Sequence, residues 1–153
     1  MTDTANFSDR HFLVVDDEEY MARVITRMLK ACHAASVIHA NDGVHALQMS
    51  GPGGKPPDCV ICDFNMKHVN GLQFLQGIRL GLSPTLPRDQ PFIMVTGHGE
   101  QDVVKAALSL NVSGFAVKPV AQKKLVESIE KALSHPVKLQ PVEVYKAIKL
   151  PKP

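Results

Sequence analysis

The stretch Cys59-Val60-Ile61-Cys62-Asp63 consists of four apolar residues followed by one carboxylate. This pattern is typical of a short strand that is buried on both faces of a sheet. Three more runs have the same form and end in polar side chains: Phe12-Leu13-Val14-Val15 before Asp16-Asp17, Phe92-Ile93-Met94-Val95 before Thr96, and Phe115-Ala116-Val117 before Lys118. With the shorter pair Val37-Ile38, they predict five strands.

Amphipathic helices are predicted after each of these strands. In the first, apolar side chains recur at helical spacing: Met21, Val24, Ile25, Met28, Leu29 and Cys32. Further helical patterns carry Val44, Ala46 and Leu47, then Leu72, Leu75, Ile78 and Leu82, then Val103, Val104, Ala107 and Leu108, and finally Leu125, Val126, Ile129, Ala132 and Leu133. Regular alternation of strand and helix predicts an α/β fold, a (βα)5 parallel sheet doubly wound with helices on both faces.

The composition fits one soluble globular domain. The chain has 153 residues, of which 44% are hydrophobic and 21% charged, enough to bury a sizeable core. We expect a flexible N-terminus over residues 1–9, the domain over 10–134, and a tail over 135–153. The N-terminus lacks the order of a signal peptide, and an odd number of cysteines, three, favours a reducing compartment. A cytoplasmic protein is therefore expected.

The net charge of +2 is unevenly distributed along the chain. The tail has four lysines and one glutamate, whereas the rest is nearly neutral, so neither nucleic acid nor a membrane is an expected partner. Val142, Tyr145 and Ile148 recur at helical spacing in the tail, while its prolines favour extended chain. The prediction is a loosely docked segment with about one helical turn.

Polar groups follow four of the five strands, and parallel sheets bind ligands outside the carboxyl ends of their strands. Each group alone has an ordinary explanation, as a helix start, a turn, a strand end or an exposed lysine. Together, the three carboxylates of Asp16, Asp17 and Asp63 would repel one another, which favours a hard cation such as Mg²⁺. A carboxylate can also attack phosphorus. Asp63 is the expected nucleophile, with the Lys118 ammonium and the Thr96 hydroxyl each binding a phosphoryl oxygen.

These motifs, in this order, strongly resemble the receiver domain of bacterial two-component response regulators, the CheY-like fold. The matching residues are Val14-Val15-Asp16-Asp17-Glu18, Asp63-Phe64-Asn65-Met66 with Gly71, Thr96-Gly97 and Lys118-Pro119. The resemblance covers about residues 10–134 and implies a flavodoxin-like strand order of 2-1-3-4-5.

The resemblance also implies a role for each matching position. Asp63 is the implied phosphoacceptor, with Asp17, Asp63 and the Asn65 carbonyl as direct Mg²⁺ ligands and Asp16 as a ligand through water. Thr96 is the implied switch hydroxyl and Phe115 the switch aromatic. Lys118 is the implied counter-ion of the phosphoryl group. The peptide bond between Lys118 and Pro119 is implied to be cis. Asn65 and His98 lie where the family tunes hydrolysis of the aspartyl phosphate.

The resemblance implies a stand-alone response regulator that catalyses its own phosphorylation and dephosphorylation. Its expected partners are a histidine kinase or histidine phosphotransfer protein and a downstream effector, which would bind the face formed by the fourth helix, fifth strand and fifth helix. The main alternative is a phosphorylation-independent adaptor with the same fold. A nucleotide or flavin carrier is less favoured, because Gly51 to Gly54 precede a strand rather than a helix.

Two positions depart from the family pattern. Lys67 stands where the family commonly has proline, and with His68 it makes the loop after Asp63 cationic. Phe115 replaces a frequent tyrosine, so any switch there would depend on ring packing. The motif Cys59-Val60-Ile61-Cys62 is interpreted as buried core packing rather than as a metal site, because positions i and i+3 of a strand face opposite sides.

Overall fold

A computed structural model describes residues 5–97 and 101–151 of the chain. Its five strands are β1 (His11–Val15), β2 (Ser36–Ala40), β3 (Cys59–Asp63), β4 (Phe92–Thr96) and β5 (Gly114–Val117). All neighbouring strands pair in parallel, in the order β2-β1-β3-β4-β5. The predicted fold class and strand order are confirmed. No helix in the described ranges is long and apolar enough to cross a bilayer.

Within the described ranges, six α-helices accompany the sheet: α1 (Glu19–Ala31), α2 (Gly43–Ala46), α3 (Gly71–Arg79), α4 (Gln101–Ser109), α5 (Gln122–Ser134) and α6 (Val142–Lys146). The expectation that Leu82 belongs to the third helix was wrong. Gly81 adopts φ +80°, and the N–H groups of Gly81 and Leu82 bond back to Ile78 and Gly77. This capping arrangement ends α3 and leaves Leu82 65% exposed.

The core forms two layers, one on each face of the sheet. Along β3, Val60 and Cys62 pack on the face covered by α3 and α4, whereas Cys59 and Ile61 pack on the face covered by α1 and α5. The two cysteines are fully buried, free, and on opposite faces, as expected for positions i and i+3 of a strand. The interpretation of this motif as core packing is confirmed.

The C-terminal tail packs firmly against the domain, contrary to the expectation of loose docking. Its helical turn, α6, places Tyr145 in the core beside α3 and α4 with no exposed surface. The Tyr145 hydroxyl donates to Asn111 Oδ1 at 2.7 Å and accepts from the N–H of Gln140 at 3.0 Å. The side chain of Gln76 on α3 donates to the carbonyls of Tyr145 and Ile148. The residues at helical spacing in the tail therefore form a turn that buries the Tyr145 ring, and its hydroxyl is fully hydrogen-bonded.

Two arginines explain why the long loop over residues 83–91 and the tail lie together. The guanidinium of Arg79, fully buried, donates to the carbonyls of Arg88, Gln90, Leu110 and Asn111. Arg88 donates to the carbonyls of Arg79 and Gln140, and its guanidinium lies 5.7 Å from the centre of the Tyr145 ring. The loop therefore supplies part of the surface on which the tail packs.

Replacing Tyr145 tests the contribution of the tail to stability. Tyr145→Ala should lower the free energy of unfolding by roughly 3 kcal/mol, since it removes a buried ring, and Tyr145→Phe by about 1 kcal/mol, since Asn111 Oδ1 loses its donor. Urea unfolding followed by circular dichroism measures both. Tyr20→Ala is the matched control, because Tyr20 is 70% exposed on α1. An unchanged urea midpoint for Tyr145→Ala would show that the tail contact is dispensable.

Candidate functional site

The parallel strands bring the predicted site residues to one edge of the sheet. Asp16 follows β1, Asp63 ends β3, Thr96 ends β4 and Lys118 follows β5. In the register of the sheet, Asp63 pairs with Val95 and Thr96 pairs with Val117. Side chains distant in sequence therefore meet at the carboxyl ends of neighbouring strands.

Three carboxylates form the acidic centre of this edge, and we call Asp16, Asp17 and Asp63 the acidic trio. One carboxylate oxygen from each lies within 4.8 Å of the others. Asp16 and Asp63 are buried, whereas Asp17 is exposed. Carboxylate oxygens grouped this closely, with one member open to solvent, fit a hard divalent cation.

Hydrogen bonds fix the position of Asp16 in this trio. Its Oδ1 accepts from the N–H of Glu18 at 2.8 Å, and its main-chain carbonyl accepts from His39 Nε2 at 2.8 Å. Its Oδ2 is buried without a hydrogen-bond partner among the described residues. Burial raises the pKa of Asp16 to about 6, and the neighbouring charge of Asp63 adds to the rise. The buried oxygen without a partner is a further reason to place a cation or its water here.

Asp63 and Lys118 form an ion pair inside the site. Lys118 Nζ lies 2.8 Å from Asp63 Oδ1, and the Asp63 side chain is only 3% exposed. Burial raises the pKa of Asp63, while the Lys118 ammonium opposes that rise. For Lys118, burial alone would lower the pKa, but the hydrogen bond and charge of Asp63 outweigh it and the pKa is raised. The ion pair itself favours the charged form of both groups, but at Asp63 burial outweighs it and the pKa stays raised.

The loop between β3 and α3 returns tightly against the end of β3. The N–H of Gly71 donates to the carbonyl of Phe64 at 2.9 Å. A Cβ at residue 71 would lie 2.8 Å from the Asp63 carbonyl oxygen and 3.0 Å from Phe64 Cα, so only glycine fits there. Asn70 then caps α3 through a reciprocal pair of bonds with Gln73. Both ends of the loop beside Asp63 are thus fixed.

Sequence reasoning missed one contact of this loop. The main-chain N–H of Lys67 donates to Asp17 Oδ2 at 2.8 Å. The sequence shows that residue 67 is not the proline common in the family. It does not show that the N–H of residue 67 bonds to Asp17, because the two residues are 50 positions apart. The contact ties the loop after β3 to the acidic residues after β1.

The remaining predicted residues lie around this centre. Thr96 is buried at the end of β4, Asn65 is exposed in the loop after Asp63, and Phe115 is half-buried in β5. The carbonyl of Phe115 accepts from the Ser128 hydroxyl on α5 at 2.9 Å. The Lys118-Pro119 bond is cis, as the resemblance implied. His98, predicted as a tuning residue, lies outside the described residues.

The chain matches the family model of the response regulator receiver domain over residues 12–130. It is 32% identical over 119 residues to the chemotaxis protein CheY of Pseudomonas aeruginosa, a match that covers 78% of this chain and 92% of that protein. It is 33% identical over 121 residues to a CheY homolog of Campylobacter jejuni, covering 79% of this chain and 90% of the homolog. The matched segment includes every site residue named above.

Solved structures agree with these matches. A response regulator receiver domain protein from Clostridium thermocellum superposes with a TM-score of 0.69 at 25% identity, covering 82% of this chain and 94% of that one. The bacteriophytochrome response regulator AtBRR superposes with a TM-score of 0.65 at 28% identity, covering 80% and 91%. From the fold, the acidic trio and these relatives together, the chain belongs to the response regulator receiver domain family and is a CheY-like response regulator.

Proposed function

We propose that this protein accepts a phosphoryl group on Asp63 from a phosphohistidine of a sensor kinase or histidine phosphotransfer protein. The main support is the Asp63 carboxylate itself, buried at the end of the central strand with the Lys118 ammonium 2.8 Å away. In the transfer, an Asp63 oxygen bonds to phosphorus while the phosphorus–nitrogen bond to the donor histidine breaks, and the nitrogen keeps the electron pair. The product is an aspartyl phosphate.

In this proposal the acidic trio holds Mg²⁺. Asp17, Asp63 and the main-chain carbonyl of Asn65 would bind it directly, and Asp16 would bind it through water. Bound there, the ion neutralises charge on the phosphoryl oxygens. The close approach of three carboxylates and the buried Asp16 Oδ2 without a partner support this assignment.

The chain's own cations and donors complete the proposed site. Lys118 favours the ionised form of Asp63 and holds the carboxylate in place before transfer, and its ammonium would remain as counter-ion to the phosphoryl group. Thr96, at the end of the neighbouring strand, is the proposed hydroxyl donor to a phosphoryl oxygen. Phe115 is proposed as the aromatic ring that changes rotamer when Asp63 is phosphorylated. Asn65 and His98 are proposed to tune hydrolysis. The protein would thus catalyse its own phosphorylation and dephosphorylation.

The proposed output is phosphorylation-controlled binding of an effector protein in the cytoplasm. The proposed surface is the face formed by α4, β5 and α5. A groove of about 300 Å³ lies there between β5 and α5, lined in part by Phe115, Pro119, Lys124 and Ser128. The tail packs on the other side of α4, next to α3. The described residues of the tail therefore do not line this groove.

Phosphorylation of Asp63 can be tested directly. With Mg²⁺ and labelled acetyl phosphate, the unsubstituted protein should incorporate label, and Asp63→Asn should abolish it because the nucleophile is gone. Asp89→Asn, at an exposed position in the loop before β4 and not at the carboxyl ends of the strands, is the matched control. Equal labelling of Asp63→Asn would contradict the proposal. Absence of labelling in all three proteins would favour the phosphorylation-independent adaptor.

The raised pKa of Asp16 predicts opposite pH effects on stability and Mg²⁺ binding. A carboxyl whose pKa is raised to about 6 in the folded protein binds a proton more tightly there than in the unfolded chain. Without metal, the free energy of unfolding should therefore rise by roughly 1 to 2 kcal/mol as pH falls from 8 to 5. Mg²⁺ affinity should fall over the same range, since the ion needs the ionised carboxylates.

Urea unfolding in EDTA and Mg²⁺ titrations followed by NMR measure these two effects between pH 5 and 8. Asp16→Asn should flatten the pH dependence of stability, because the amide does not titrate. An Asp16→Asn protein with the same pH dependence as the unsubstituted one would show that another group is responsible.

A further inference from the structure

A strained turn lies beside the acidic trio. The N–H of Val69 donates to the carbonyl of Lys67 at 2.8 Å, and His68 between them has φ +69°. A three-residue turn with positive φ at its centre is rare, and it persists only where surrounding contacts hold it. Some contact of this loop must therefore stabilise the turn.

The bond from the Lys67 N–H to Asp17 Oδ2 meets that need. The turn holds Lys67 where its amide reaches the carboxylate, and the carboxylate in return holds the turn. A hydrogen bond to an ionised carboxylate is stronger than one between neutral groups. Because Asp17 is exposed, this contact restricts a side chain that would otherwise rotate freely.

We infer that the main-chain N–H of Lys67 is a positioning group, which orients the Asp17 carboxylate for a divalent cation. The inference rests on the metal-dependent function proposed above. The amide bonds to Oδ2, so in this inference the other oxygen, Oδ1, is the one that binds the ion. Hydrogen bonds that orient a ligand in this way typically contribute 10- to 100-fold to metal affinity. The same bond also fixes the loop that carries Asn65, whose carbonyl is another proposed ligand.

This contact is specific to chains without proline at the position. A proline has no N–H to donate, and proline is the residue that the family commonly has where this chain has Lys67. The proposed role belongs to the amide and not to the lysine ammonium. The two can be separated by substitution.

The first experiment compares Lys67→Pro with Lys67→Ala. Both remove the ammonium, but only Lys67→Pro removes the N–H. Mg²⁺ titrations followed by ¹⁵N–¹H NMR should give a dissociation constant about 10-fold weaker for Lys67→Pro than for Lys67→Ala. At saturating Mg²⁺, labelling by acetyl phosphate should become equal in the two variants, since the defect lies in metal affinity. Equal dissociation constants would overturn the inference.

A second variant guards against a change of loop conformation by proline. Replacing the peptide N–H of residue 67 by an ester oxygen removes the donor and keeps the lysine side chain. It too should weaken Mg²⁺ binding about 10-fold, with an unchanged far-ultraviolet circular dichroism spectrum; full affinity in the ester variant would overturn the inference. Failure of the unsubstituted protein to bind Mg²⁺ would instead overturn the proposed function, and this inference with it.

Discussion

Mutual repulsion among three carboxylates is the constraint on which the site depends. Oxygens of Asp16, Asp17 and Asp63 lie within 4.8 Å of one another, a distance at which two unit charges repel by roughly 3 to 4 kcal/mol at an effective dielectric constant of 20. Within the described residues, one ammonium, that of Lys118, pairs directly with the trio through Asp63. The fold must therefore hold together negative charges that would move apart in a flexible chain.

The sheet supplies most of that rigidity. Asp16 and Asp63 adjoin neighbouring strands whose residues are buried between two apolar layers, so neither backbone can move without disrupting the core. Asp17 lacks this support because it lies beyond the strand in an exposed position. Its restraint comes from the loop after β3, which is closed by Gly71 and capped by Asn70. The site thus combines two carboxylates fixed by the sheet with one fixed by a loop.

The C-terminal tail extends the core on one face only. Tyr145 joins the apolar layer beside α3 and α4, and Ile148 and Leu150 pack at its margin. The buried guanidinium of Arg79 has its pKa lowered to about 10 by burial, and four main-chain carbonyls accept its donors. This arrangement fixes the loops under the tail. A segment outside the family match therefore contributes to the stability of the domain.

The amino-acid sequence by itself determined the strands and the polar side chains at their ends, whereas the strand order was implied by the resemblance to receiver domains. Apolar runs ending in Asp16, Asp63, Thr96 and Lys118 are local patterns, and parallel strands place such ends at one edge. The end of α3 before Leu82 was harder to predict from the sequence, since it depends on Gly81 adopting positive φ.

Only the tertiary structure decided the docking of Tyr145 and the bond between the Lys67 amide and Asp17. Both depend on groups far apart in the chain: Tyr145 meets Asn111 across 34 residues, and Lys67 meets Asp17 across 50. Spacing along a chain predicts which face of a helix or strand is apolar. It does not predict which main-chain donor reaches which side chain, because that depends on how the elements pack.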